Sequence, residues 1–315
     1  MHSKNIVVVV VVLILIGIGG YFLNQSLVSN TTVTIEREPT EEMLPVEPDG
    51  GIGDGAESLD ELLESERPAQ EVIGTSVTGQ AITAYHFGTG ETEILFIGGS
   101  HGSYSWNTSL LAFELIDHFE TNPAAVPENI TVTIIPALNP DGLLLNFDSV
   151  DSFTRADALG LSEAQRVAGR FNGNTVDLNR NFDCDWQSTG TWRSREVSGG
   201  SSAFSEPEAA ALRNYVNRVN PTAAVVWFSA EGKVYPSACA GSASNASETL
   251  AQTFAADAGY AVEEEFDAYA ITGDMVNWLA KENIPAISVL LTNHQDTEFD
   301  KNLAGVAAVL ARFAN

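Results

Sequence analysis

Basic residues are scarce in this chain: 15 Lys and Arg stand against 42 Asp and Glu over 315 residues, a formal net charge of −27. Such a balance repels nucleic acid and anionic headgroups and favours solubility, which argues against a nucleic-acid-binding role. Cysteine is scarcer still, only Cys184 and Cys239. Two cysteines far apart with no histidine beside them are poor zinc ligands. They leave two readings open, one disulfide in an extracytoplasmic domain or two separate buried thiols. The sequence has no internal repeat. It is rich in apolar residues, 44% of the total, enough for a sizeable core.

That apolar content is uneven. Residues 6–23 are almost wholly apolar, close to the length that crosses a bilayer, with Lys4 on the N-terminal side. Residues 1–24 therefore read as a single-pass signal anchor that leaves the rest of the chain extracytoplasmic, with a cleaved signal peptide as the rival. Residues 25–70 are acidic and punctuated by proline and glycine, too poor in apolar surface to offset chain entropy, and read as a disordered linker. Residues 58–66 have the composition of a short isolated helical turn.

From 71 to 315 the pattern alternates between strand-like and helix-like segments, as expected of one α/β domain with a mixed central sheet flanked by helices. Expected strands are 81–88, 93–97, 131–137, 223–228 and 286–291, whose apolar runs suit burial on both faces. Expected helices are 107–119, 206–217, 247–258, 273–281 and 303–313. Ser205, before Glu206-Pro-Glu208, is the expected N-cap of the second of these.

A set of motifs then recurs in one order: His101, Asn139-Pro-Asp-Gly142, Arg170, Val176-Asp-Leu-Asn-Arg-Asn-Phe182, Ser198-Gly-Gly, Phe204-Ser-Glu-Pro-Glu208, Ser229-Ala-Glu-Gly232 and Ile284-Pro-Ala286. Singly each is weak, since Asn-Pro-Asp-Gly fits many turns. In this order and approximate spacing, over residues 71–315, the chain resembles the zinc metallocarboxypeptidases similar to carboxypeptidase A.

The resemblance implies a carboxypeptidase-like fold, and a site that departs from the family's pattern. A catalytic zinc needs about three protein ligands and an open position for water, and carboxypeptidase A is itself a standard example of the His₂Glu set. The family's first histidine matches His101, but its glutamate falls on Tyr104 and its second histidine on Phe228. Its general-base glutamate falls on Leu290, in Val289-Leu-Leu-Thr292. Losing a general base alone costs roughly 10²–10⁴ in rate. The residues that grip a peptide end match: Asn179 and Arg180 for the terminal carboxylate, Arg170 for the scissile carbonyl, Tyr269 for the mobile tyrosine, and Val276 lining the side-chain pocket.

The expectation is an extracytoplasmic homologue that has lost its zinc site, takes no cofactor and binds C-terminal carboxylates of peptides or peptidoglycan stems. The alternative is an active zinc carboxypeptidase with an unusual metal site, completed by Glu231 or the Tyr104 phenolate. From another class, Gly98-Gly-Ser-His-Gly102 fits a nucleophile elbow, with Ser100, Asp274 and His294 in the chain order of an α/β-hydrolase. A scaffold is the remaining reading. Trp186 and Trp192, either side of a Gly/Ser-rich stretch after Cys184, suit a binding rim or packing over a disulfide. His86, His118 and, outside that hydrolase alternative, His294 are isolated and read as surface or packed residues.

Overall fold

In the chain's computed structural model, residues 67–314 are described. The anchor, most of the linker and the proposed turn at 58–66 lie outside them. Among the described residues no helix is long and apolar enough to cross a membrane.

Among the described residues ten strands form in chain order: β1 Gln70–Thr75, β2 Ala81–Phe87, β3 Thr92–Ile97, β4 Ile130–Ile135, β5 Thr189–Trp192, β6 Arg195–Ser198, β7 Ala223–Ser229, β8 Lys233–Pro236, β9 Ala261–Val262 and β10 Ala286–Leu291. Eight join one mixed sheet in the order β1-β2-β4-β3-β7-β10-β8-β9, while β5 and β6 pair as a separate antiparallel hairpin. The four central strands, β4, β3, β7 and β10, run parallel. Their Val/Ile-rich runs are buried throughout or nearly so, as a sheet covered on both faces requires.

Eight α-helices complete the described chain: α1 Trp106–Thr121, α2 Pro140–Leu144, α3 Arg155–Leu159, α4 Glu163–Ala168, α5 Pro207–Val219, α6 Asn245–Ala258, α7 Met275–Lys281 and α8 Phe299–Phe313. Strand alternation divides the core in two. Ile94, Phe96, Val225, Trp227, Ile287 and Val289 pack with α1, α6 and α8, whereas Leu95, Ile97, Val226, Phe228 and Ala286 pack with α5 and α7. Period two thus sends Phe228 to the α5/α7 face, where half-buried Leu290, its register partner on β10, also packs.

The expected N-cap moves by one residue. Glu206 occupies the cap position without a capping side-chain bond, and the Ser205 hydroxyl donates instead to Glu206 Oε1 at 2.8 Å. Asn181 explains the shift, because its amide takes Ser205 Oγ while its Oδ1 accepts from the Glu206 N–H. Cys184 and Cys239 are joined as a disulfide with Cα atoms 5.9 Å apart. The bond ties the segment after Asn179-Arg180 to the segment after β8.

Candidate functional site

The chemistry-bearing residues collect beyond the carboxyl ends of the central strands, where open α/β sheets hold their ligands. The chain leaves β3 through Gly98 and Gly99, the latter at φ +68°. A Cβ on Gly99 would stand 2.4 Å from Ser109 Oγ and 2.7 Å from the Pro136 carbonyl, so only glycine lets the turn pass this close. The turn delivers His101. Gly102, at φ +43° and packed against Gly142 and Gly169, then opens a 3₁₀ turn over Gly102–Ser105 that carries Tyr104.

His101 is buried, its ring 5.5 Å from that of Phe228. Its Nε2 lies 3.5 Å from Asp177 Oδ1, too loosely aligned for a hydrogen bond, and neither ring nitrogen has a hydrogen-bond partner. Burial, reinforced by the Arg170 and Arg180 charges, drives the imidazole down to about 4 despite Asp177. It is therefore neutral at pH 7, and its contact with Asp177 is that of a dipole with a carboxylate. Burial opposes the charge on Asp177 too, but Arg170 overrides it and holds the carboxyl well below the ordinary range. The Arg170 guanidinium donates to Asp177 Oδ2 through Nε at 2.9 Å and Nη2 at 2.8 Å. Asn139 links the Asn-Pro-Asp-Gly turn to this pair. Its Oδ1 caps α2 through the Gly142 N–H, and its Nδ2 donates to the Arg170 carbonyl at 3.2 Å.

Asn179 and Arg180 lie on the next turn, Leu178–Arg180. Asn179 donates to Asp274 Oδ2 at 2.7 Å and accepts from the Met275 N–H at 3.1 Å, which fixes the start of α7. Arg180 is 1% exposed; Nη1 donates to the Asn179 carbonyl at 2.7 Å and Nη2 to the Thr191 carbonyl at 2.8 Å. The Tyr269 ring lies 5.8 Å from the Arg180 guanidinium. The structure thus brings Arg170, Asn179, Arg180 and Tyr269 together with His101 and Tyr104. Val276 is placed otherwise, 1% exposed in the α5/α7 core with Trp278 and Leu279.

Trp192 is the residue whose place the sequence left unsettled. The β5–β6 hairpin lays its indole over the Arg170 guanidinium at 4.4 Å and edge-on to Tyr104 at 5.0 Å, away from the disulfide, which packs in the α5/α7 core. His294 closes on the Tyr104 ring at 4.6 Å. Tyr104 is thus an aromatic brace between the hairpin and the 293–298 loop, and burial pushes its phenol up from the ordinary value. Trp186 lies outside this brace and donates from its indole N–H to the Gly199 carbonyl at 2.9 Å.

The donor set does not fit a zinc ion held in the family's manner. Among the described residues no group of three or more His, Cys, Asp or Glu side chains converges as a metal site. Glu231 is already engaged, accepting from the Tyr235 hydroxyl at 2.9 Å and pairing with Lys233 at 3.1 Å. A hydrolase triad is not assembled either. Ser100 Oγ and His294 Nδ1 have no hydrogen-bond partner, and the Asp274 carboxylate bonds Asn179 and the Asn277 N–H.

A mixed sheet with its polar cluster beyond the parallel strand ends, fed by a His-bearing turn after β3 and an Asn-Arg turn before a hairpin, defines a metallocarboxypeptidase-type α/β protein. The zinc carboxypeptidase family model matches residues 57–300, more than half of the 315, and the chain belongs to that family. The human carboxypeptidase N catalytic chain is 30% identical over 123 residues, 35% of this chain and 25% of that protein. The match thus spans about a quarter of that relative's length. Among solved structures, bovine thrombin-activatable fibrinolysis inhibitor in complex with tick carboxypeptidase inhibitor superposes with a TM-score of 0.60 at 16% identity, covering 77% of this chain and 89% of that one. The murein-tripeptide amidase MpaA from Escherichia coli O157 gives 0.51 at 20% identity, covering 78% and 92%. At these identities the two share the fold with this chain.

Proposed function

We propose that this chain is a carboxypeptidase-fold protein without zinc-dependent hydrolysis, which binds the C-terminal carboxylate of a peptide or peptidoglycan stem. In this reading the segment at 1–24 tethers it to the membrane with the domain extracytoplasmic. The observation that carries the non-hydrolytic half is the juxtaposition of His101 with Phe228, itself in register with Leu290. Where an imidazole and a carboxylate would be needed stand a phenyl ring and an isobutyl group. Neither can ligate a metal or move a proton.

The binding half is supported by Arg180 and Arg170, whose planar guanidinium groups suit a two-pronged grip on a carboxylate. Here the Thr191 carbonyl takes one prong of Arg180 and Trp192 covers Arg170, so a ligand enters by displacing the hairpin. The likeness to a murein-tripeptide amidase makes stem tripeptides the first ligands to try. Calorimetry on the full chain should give binding that disappears in Arg180→Ala and on amidation of the peptide C-terminus. Binding indifferent to both would end the carboxylate reading.

A further inference from the structure

Three guanidinium groups surround one indole. Arg170, Arg193 and Arg195 lie 4.4, 5.4 and 5.9 Å from the Trp192 ring. Asp177 neutralises Arg170, whereas among the described residues Arg193, Arg195 and the nearby buried Arg180 form no ion pair. Like charges this close repel, and in a chain of net charge −27 such a gathering of cations is a local reversal of the field. The hairpin also lines an open cavity of about 320 Å³ with Gly190, Ser194, Arg195 and Glu196, and Ala270 and Thr272 line it too. Beside Gly190, Arg180 Nε and, from the cavity lining, Thr272 Oγ1 stand 3.1 and 3.2 Å from the point a Cβ on that glycine would occupy. Both atoms are buried and have no hydrogen-bond partner among the described residues. A buried donor left without a partner is costly, so an acceptor brought up to Gly190 is favoured.

We infer that this cavity is an anion subsite, and that the preferred ligand carries a second carboxylate, as in a peptide ending in Glu. The inference rests on the carboxylate-binding reading and narrows it. Arg195 supplies the charge on the lining, with Arg193 in the hairpin turn next to Ser194, and Ser194 and Thr272 supply hydroxyl donors. Glu196, on the same wall, is the one group that opposes the anion.

Calorimetry at low ionic strength on the full chain, with acetyl-Ala-Glu, acetyl-Ala-Gln and acetyl-Ala-Ala, tests it. The native chain should bind the Glu peptide about tenfold more tightly than the Gln peptide, the gain of one charge-assisted contact. Arg193→Gln with Arg195→Gln should abolish that preference while acetyl-Ala-Ala binds as before, and Glu196→Gln should enlarge it. Equal affinity for the Glu and Gln peptides, or a preference that survives the double substitution, overturns the subsite. If all peptides bind through Arg180 without the preference, the carboxylate reading stands and the subsite falls. If no peptide binds but glutarate does, sensitively to Arg195→Gln, the subsite stands alone. Should neither bind, the subsite is wrong.

Discussion

Two corners of one site differ in chemistry. At the ends of β3, β7 and β10 the side chains are His101, Phe228 and Leu290, with Tyr104 alongside: one metal-binding group among apolar and aromatic ones. A few ångströms away, Arg170, Asp177, Asn179, Arg180 and Asp274 form a continuous polar network. The second corner also holds the fold together. Asp177 balances a buried guanidinium, Asn179 positions the first turn of α7, and Asn139 pins the Arg170 backbone. Groups whose only task is to hold a metal can be replaced by hydrocarbon at little cost in stability, because they leave no buried charge unpaired. Groups that neutralise one another cannot. Buried Arg170 therefore has a structural reason to be there, whereas Arg180, which forms no ion pair among the described residues, is engaged by the Asn179 and Thr191 carbonyls.

The sharpest contrast is in stability. Asp177→Ala strands the Arg170 charge and should destabilise by about 3–5 kcal/mol, seen as a large loss of denaturation midpoint. Phe228→His and Leu290→Glu, made one at a time, should each cost less than that by the same measurement. A comparable loss, about 3–5 kcal/mol, is expected for Trp192→Ala, which uncovers Arg170 and removes the ring braced by Tyr104. The same substitution should raise affinity for a peptide carboxylate, because the hairpin no longer competes. Unchanged affinity would separate the hairpin from the binding site.

A further contrast lies in pH dependence. The folded state holds His101 and His294 at about 4, His294 chiefly through burial and then the Arg193 charge, against an ordinary 6.5. The unfolded chain takes up these protons first, so the stabilising contribution is complete above about 6.5 and is lost as pH falls from there towards 4. Replacing His294 by Gln should flatten that slope. A profile that stays as steep in the variant would mean that His294 titrates freely.

The strands that build the site were legible because their apolar runs have no other use. The expected strand at 286–291 coincides with β10, and that at 93–97 begins one residue inside β3. β1, β8, β9 and the β5–β6 hairpin were not foreseen, since Thr189–Trp192 and Arg195–Ser198 are short and mostly exposed and carry no periodic apolar signal. Arg170, Asn179 and Arg180 were found through motif order. That Arg180 donates to the Thr191 carbonyl was not legible, because Thr191 is eleven residues away, beyond an irregular stretch at 181–188. The pairing of Trp192 with Tyr104 was equally hidden. Neither residue carries a sequence signal for the other, and they meet only because the hairpin folds over the turn after β3. The disulfide was the easiest long-range contact to foresee, since the chain has only two cysteines.

Metal content of the purified full chain, measured by elemental mass spectrometry after exposure to excess zinc and gel filtration, tests the central claim most directly. The account predicts far less than one zinc per chain and no chelator-sensitive release of C-terminal residues. It predicts that both appear together in the triple variant Tyr104→Glu, Phe228→His, Leu290→Glu. Stoichiometric zinc with peptidase activity in the native chain would contradict it.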